Sequence, residues 1–356
     1  MKFITKKTLN YNQKMANNLR FQTVNQEFST ILNQQTVNYQ DLQKKSWNGI
    51  PQVFRSLVWR IILHYMPTNK LIADEVLDKK RSEYWQQVEQ YYLDIEELDD
   101  KEKYMRKIVL KDVPRTQPDY EIFKHPRVQE MLQRILYVWN VRHPACGYVQ
   151  GMNEIVTVFI VVFLQEYVQL NQETFEIPDN IHNVKREEWD TVEADSYWCL
   201  SRILDKIQDN YTHGQPGIKK CLDKMEQVVT KLDPELIAVF KNQHVQFVQF
   251  AFRWVLCLLI REIPLPQALR LFDTYISDEQ GFQNLHIYVC AATLLQYSKT
   301  LQKQNFNEII MFLQNIPTKD LKQQDIELLI QQGYVYQQMY DQSQGHIKKT
   351  VNLEWL

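Results

Sequence analysis

The segment from Asn153 to Leu170 is apolar on nearly every side, and its densest stretch runs from Ile155 to Leu164. A surface helix carries a polar stripe; a helix without one has to be enclosed by other elements. Thr157 interrupts the run, Glu154 and Gln165 bound it, and it is about half the length needed to span a bilayer. It therefore reads as a helix buried at the centre of a fold, and the rest of the chain has to supply the shell around it.

The shell reads as helical. Only 8 Gly and 12 Pro occur among 356 residues, too few turn formers for an all-β sandwich or barrel built on many hairpins. Apolar residues recur at helical spacing in Phe54–Tyr65 after the Gly49-Ile50-Pro51 turn, in the mixed-charge segment 74–107 with a turn at Asp99-Asp100, and in Arg127–Val141. The same periodicity marks Glu187–Gln208, Ile218–Leu232, a helix capped by Asp233-Pro234, Val245–Glu262, Pro266–Tyr275, Asn284–Lys299, Phe306–Gln314 and Asp325–Gln338. Helix is not expected in 112–126, where Pro114, Pro118 and Pro126 fall, and 171–186 reads as a loop, a surface insertion. No fixed-period repeat supports a regular solenoid. The expected architecture is an all-α globule in two lobes, about 41–186 and 187–340. A loosely ordered Gln/Asn-rich leader (1–40), excluded from the core, precedes it, and a tail (341–356) follows.

Several function classes fall away at this level. With 41 basic and 43 acidic residues, no global field draws the chain to nucleic acid or an anionic membrane. Five scattered Cys lack C-x-x-C spacing, so neither a zinc site nor a disulfide framework is expected, and a reduced cytosolic compartment fits. The N-terminal residues lack the apolar run of a signal peptide, and a soluble protein is expected. Phosphate-loop, dinucleotide, zincin and nucleophile-elbow motifs are absent, and the eight His show no metal-ligand spacing. Neither a bound metal nor a cofactor of its own is expected.

Two polar, irregular stretches between apolar helices stand out: Lys111 to Thr116, containing Asp112, Pro114 and Arg115, and Gly147 to Asn153, containing Tyr148 and Gln150. Pro114 stiffens the chain beside a guanidinium, and paired glycines let another backbone approach, which suits a contact surface. Composition and spacing alone favour a plainer reading, with Asp112 and Arg115 as an ion pair stapling a loop and Gln150 capping the next helix.

The run Val109-x-x-Asp112-x-x-Arg115 followed by Tyr148-x-Gln150 resembles the I-x-x-D-x-x-R and Y-x-Q motifs of TBC-domain Rab GTPase-activating proteins. The resemblance continues in order through Trp47-x-Gly49-Ile50-Pro51, Arg55-x-x-x-Trp59, Arg142-His143-Pro144, Glu193-Ala194-Asp195, Tyr197-Trp198, Phe252-Arg253-Trp254 and Arg261-Glu262-Ile263-Pro264, covering residues 42 to about 335. Stretches such as Gln215-Pro216-Gly217-Ile218 and Tyr288-Val289-Cys290-Ala291-Ala292 are most similar to the member-twenty-two branch of that family. Val109 stands where the family usually has Ile, and Phe272 where Trp is commonest.

The resemblance implies a GTPase activator that hydrolyses no nucleotide alone. Arg115 would be an arginine finger and Gln150 a glutamine finger, both completing the site of a GTP-bound Rab partner that carries the GTP and Mg2+. Asp112 would orient the loop or Arg115, Tyr148 would position the glutamine loop, and Arg55 would support the groove, with Arg55 and Trp59 mainly structural. A role in vesicle trafficking at Golgi or endosomal membranes follows from the same resemblance, with the cytoplasmic chain recruited peripherally by the Rab or an adaptor. The rival readings are a non-catalytic Rab-binding helical scaffold and a helical adaptor with no GTPase partner.

Overall fold

The central apolar segment is a helix over Met152–Leu164, and all of its residues are buried. The computed structural model describes the backbone of residues 22–351 and the side chains as far as residue 340. Among the described residues the regular elements are helices, and strand pairing is limited to an isolated bridge between Thr36 and Asn69. In chain order they are α1 (22–32), α2 (Tyr39–Ser46), α3 (Gln52–Ile62), α4 (Lys70–Tyr91), α5 (Asp100–Asp112), α6 (Pro126–Arg142), α7 (Met152–Leu164) and α8 (Arg186–Lys206). They continue as α9 (Pro216–Leu232), α10 (Pro234–Asn242), α11 (Ala251–Leu256), α12 (Leu265–Ser277), α13 (His286–Leu295), α14 (Ser298–Leu301), α15 (Phe306–Gln314) and α16 (Gln323–Val351).

Local chemistry sets many of these boundaries. Asn38, Asn69 and Asp233 accept backbone N–H groups at the starts of α2, α4 and α10, and capping boxes open α5 (Asp99 with Glu102) and α15 (Asn305 with Glu308). Proline at the first turn opens α6, α9 and α10, where its missing N–H costs nothing.

Helix α7 packs on α8, α6 and α3, and α8 also lies on α4. A second group gathers around α13, which touches α9, α11 and α16, while α12 bridges the groups by meeting α2, α3, α7 and α16. One contiguous hydrophobic core runs through both. The seam expected at residue 186 is therefore misplaced. Helix α8, assigned from the sequence to the second lobe, joins the first because its buried face, including Trp189, Tyr197 and Leu200, is covered by α4, α6 and α7.

Buried ion pairs pin this packing. Asp195 on α8 accepts hydrogen bonds from Arg60, Arg81 and Tyr65, and Glu193 accepts from Arg134 and Tyr84. Each carboxylate is buried but supplied with several donors, the condition under which a buried charge is tolerated.

Four sequence expectations need correction. Residues 22–38, expected to lie outside the core, contribute Phe28, Leu32 and Val37 to it; the rest of the expected leader, 1–21, lies outside the described residues. The stretch 171–186 is irregular but anchored, because Phe175 is wholly buried against Tyr120 and its carbonyl accepts the N–H of Ile122. The helix expected over 245–262 shrinks to α11: a 3-10 turn, Phe247–Gln249, precedes it, and beyond it Leu258 and Leu259 turn into the left-handed region at φ 51° and 62°. The expected tail begins inside α16, whose backbone continues to Val351, and 352–356 lie outside the described residues.

Candidate functional site

Helix α5 ends at Asp112, and a 3-10 turn, Val113–Arg115, carries the chain onward with Pro114 at its start. That geometry leaves Asp112 1% exposed while the Arg115 side chain is 60% exposed. Arg115 Nε donates to Asp112 Oδ1 at 3.0 Å, and a terminal nitrogen of the same guanidinium bonds that oxygen too. The bond to Asp112 holds the Arg115 pKa above its ordinary value, so the group stays cationic.

The second loop approaches from the N-terminus of α7. Tyr148 is buried and donates its hydroxyl to Asp112 Oδ2 at 2.7 Å, so one carboxylate binds both loops, one oxygen each. Burial and that bond push the phenol well above its usual range, which leaves Tyr148 a permanent donor. Its N–H donates to Asn140 Oδ1 at 2.8 Å. Gly151 then turns at φ +117°, and Gln150, just before it, is exposed.

Arg115, Gln150 and Asp112 line the same open groove, about 670 Å³ in volume. Its far wall carries Phe252, Arg253, Leu256, Cys257 and Arg261 from the α11 region. Arg253 is committed to Glu262 by paired bonds of 2.6 and 2.8 Å and to the carbonyl of Gln314 at 2.7 Å. Glu154 forms part of the floor: burial raises its pKa, opposed by Arg261 at 3.8 Å and by Gln117, which donates to it at 3.0 Å. The Cys257 thiol is pushed up to about 12 by burial, so it is protonated at neutral pH and is no nucleophile.

The plain reading of the first loop is thus present in the resting protein, since Asp112 and Arg115 do form an ion pair. It fails for the second loop, because α7 is preceded by Gly151 and no side chain caps it. Arg55, expected to support the groove, does not reach it. Its guanidinium is bound to Asp273 at 3.0 Å through two nitrogens and to the carbonyl of Ile50 at 3.1 Å, and Trp59 Nε1 donates to the same Asp273 at 2.9 Å. Both residues clasp α3 to α12. Phe272, wholly buried, fills its place by packing on Trp59 and Phe282, and Val109 is buried at the base of α5. Sequence reasoning assigns no role to Thr116, Gln117, Asn153, Glu154 or Arg261; their polarity beside apolar helices is the available signal, but their partners lie in other loops.

The groove offers an exposed guanidinium and a neutral amide in its lining, above a buried, hydrogen-bonded base. Such a surface can stabilise developing negative charge and orient a small polar molecule in another protein's site. Among the described residues, no group of three His, Cys, Asp or Glu is placed to hold a metal ion, and no helix is long and apolar enough to cross a membrane.

Residues 52–302 match the family described as the Rab-GTPase-TBC domain, RabGAP-TBC, and the chain belongs to that family. Relatives include TBC1 domain family member 22B of Homo sapiens, 40% identical over 332 residues that cover 93% of this chain and 65% of the relative. The GTPase-activating protein gyp1 of Schizosaccharomyces pombe is likewise 40% identical, over 91% of this chain and 62% of its own length. The crystal structure of the Ypt/Rab-GAP domain of Gyp1p superposes with a TM-score of 0.83 at 40% identity, covering 88% of this chain and 98% of that one. The chain thus spans less than two thirds of the length of these full-length relatives.

Proposed function

We propose that this chain accelerates GTP hydrolysis by a Rab-family GTPase, with Arg115 and Gln150 entering the partner's nucleotide site. The observation that carries this reading is the buried Asp112 carboxylate, which accepts Arg115 on one oxygen and Tyr148 on the other and so brings both loops to the mouth of one groove. Relatives bearing GTPase-activating names support it.

A small GTPase is slow because charge on its phosphoryl oxygens is poorly neutralised and its attacking water is loosely held. Arg115 would supply a planar, permanent charge to the β/γ-phosphate oxygens in the transition state, and Gln150 would donate to and accept from the water and switch backbone. GTP and Mg2+ belong to the partner. An arginine supplied in trans is worth about 10³–10⁵ in rate, or roughly 4–7 kcal/mol of barrier. The same reading places the chain in the cytoplasm, drawn to Golgi or endosomal membranes by its GTPase or an adaptor and acting in vesicle trafficking.

Single-turnover GTP hydrolysis by a panel of Rabs, with and without this protein, is the test. Acceleration of at least one Rab is expected, and Arg115→Ala should remove about 10³–10⁵-fold of it. The fold should persist in that variant, because the side chain is exposed and Asp112 keeps Tyr148. Complex formation with unchanged hydrolysis would replace this reading with a Rab-binding scaffold. Absence of any complex with GTP-loaded or transition-state-analogue-loaded Rabs would leave a helical adaptor.

A further inference from the structure

Asn153 bonds to both loops from the first turn of α7, where it is 4% exposed. Its Oδ1 accepts the Gly151 N–H at 2.9 Å and lies 3.3 Å from the Tyr148 hydroxyl, while its Nδ2 donates to Thr116 Oγ1 at 2.9 Å. Thr116, directly after Arg115, gives its own hydroxyl proton to the carbonyl of Asp112 at 3.0 Å. That hydroxyl can then only accept from Asn153, which fixes the amide's orientation, and the same orientation faces its oxygen toward the Gly151 N–H. An amide is the side chain that presents an acceptor at one end and a donor at the other without charge. A carboxylate would set a second negative group beside Asp112.

We propose that Asn153 is a positioning residue that fixes the spacing of the Arg115 and Gln150 loops, so that both fingers engage one partner as a unit. This rests on the finger reading above. Asn153 is buried, so its loss acts on the rate within the complex and leaves the affinity of the complex alone.

Two variants separate this strut from plain support of the fold. Thr116→Val keeps the shape of Thr116 and leaves every residue of 147–153 untouched, while removing the acceptor of Asn153 Nδ2. Amide exchange followed by mass spectrometry should then show Gly151, in the other loop, losing protection by roughly 3- to 10-fold, the worth of one hydrogen bond. In single-turnover hydrolysis by a responsive Rab, Thr116→Val and Asn153→Ala should each lower the saturating rate by about 10–100-fold, the effect of a misplacement near 1 Å. The half-saturating concentration should stay unchanged, and the losses in the double variant should fall well short of multiplying, since both substitutions break the Asn153–Thr116 bond. Unchanged exchange across 147–152 in Thr116→Val, or rate losses that multiply in the double variant, would overturn the strut. If wild type accelerates no Rab while Thr116→Val still loosens Gly151, the finger reading fails and the mechanical link stands.

Discussion

Gly151 shows how narrowly the second loop is specified. Its φ of +117° disfavours any residue with a side chain, and a Cβ there would lie 3.0 Å from Cys257 Sγ and 3.3 Å from Leu256. Gly151→Ala has to push Gln150 off the groove or open the Leu256–Cys257 wall. Acceleration is expected to fall about 100-fold, with a loss of stability of about 1–3 kcal/mol in urea unfolding. Gly214→Ala, at φ +73° with nothing within 4 Å of the added carbon, should cost stability only through its torsion. The glycines flanking Tyr148 and Gln150 are legible in the sequence because residue type reports torsion directly. Arg55 is not, because its partner Asp273 stands 218 residues away, and no local pattern encodes that reach. The Thr116–Asn153 link stays hidden for the same reason, across 37 residues.

Helical periodicity identifies most elements, since it reports which faces are buried. It carries no information on the sign of φ, and that is why the helix expected over 245–262 does not run on past Leu256. Burial is no guide at this turn: Leu258, Leu259 and Ile260 are all buried, as a helix would require, yet two successive leucines adopt the left-handed region without a glycine to mark the break. Each such residue costs on the order of 1–2 kcal/mol, sustained here by burial and by Arg253, which ties the strained turn to Glu262. A β-branched residue tolerates this torsion less well than leucine does. Leu259→Ile should therefore destabilise the protein by about 1–2 kcal/mol more than Leu269→Ile, although both leucines are 1% exposed. Urea unfolding of the two variants decides it, and equal losses would show that the turn is unstrained. Residues 22–38 escape the sequence reading for another reason: Phe28 and Leu32 are spaced as a helix requires, but so few apolar residues among Gln and Asn give no readable stripe.

Across the whole molecule the core is continuous, so a perturbation at its centre should be felt as global stability. His286 is such a point. Buried at the start of α13, it faces the carbonyl of Trp254 with Nε2 at 3.2 Å and the Tyr275 hydroxyl with Nδ1 at 2.9 Å, and Cys290 Sγ lies 3.6 Å away. A carbonyl can only accept, so Nε2 carries the proton and Nδ1 accepts from Tyr275, a fully satisfied neutral ring. Burial holds its pKa down to about 4, so the unfolded chain takes up a proton first as pH falls. Stability from this residue is complete above a pH of about 6.5 and is lost on descending toward 4, by roughly 3 kcal/mol in all. In urea unfolding of wild type and His286→Gln over that range, wild type should lose roughly 3 kcal/mol more than the variant as the pH falls from about 6.5 to 4. The comparison isolates the histidine from Glu154, Glu193 and Glu262, whose pKa values burial raises and whose effect on the profile has the opposite sign.

The Asp273 clasp has a consequence in time as well as space. Its carboxylate is wholly buried and is met by Arg55, Trp59 and the N–H of Ile50, which lies 223 residues earlier. At about 5–20 residues per second, a ribosome delivers Asp273 roughly 10–45 s after Ile50. Through that interval the apolar face of α3 has no α12 to cover it, and the newborn chain depends on whatever shelters exposed surface during synthesis.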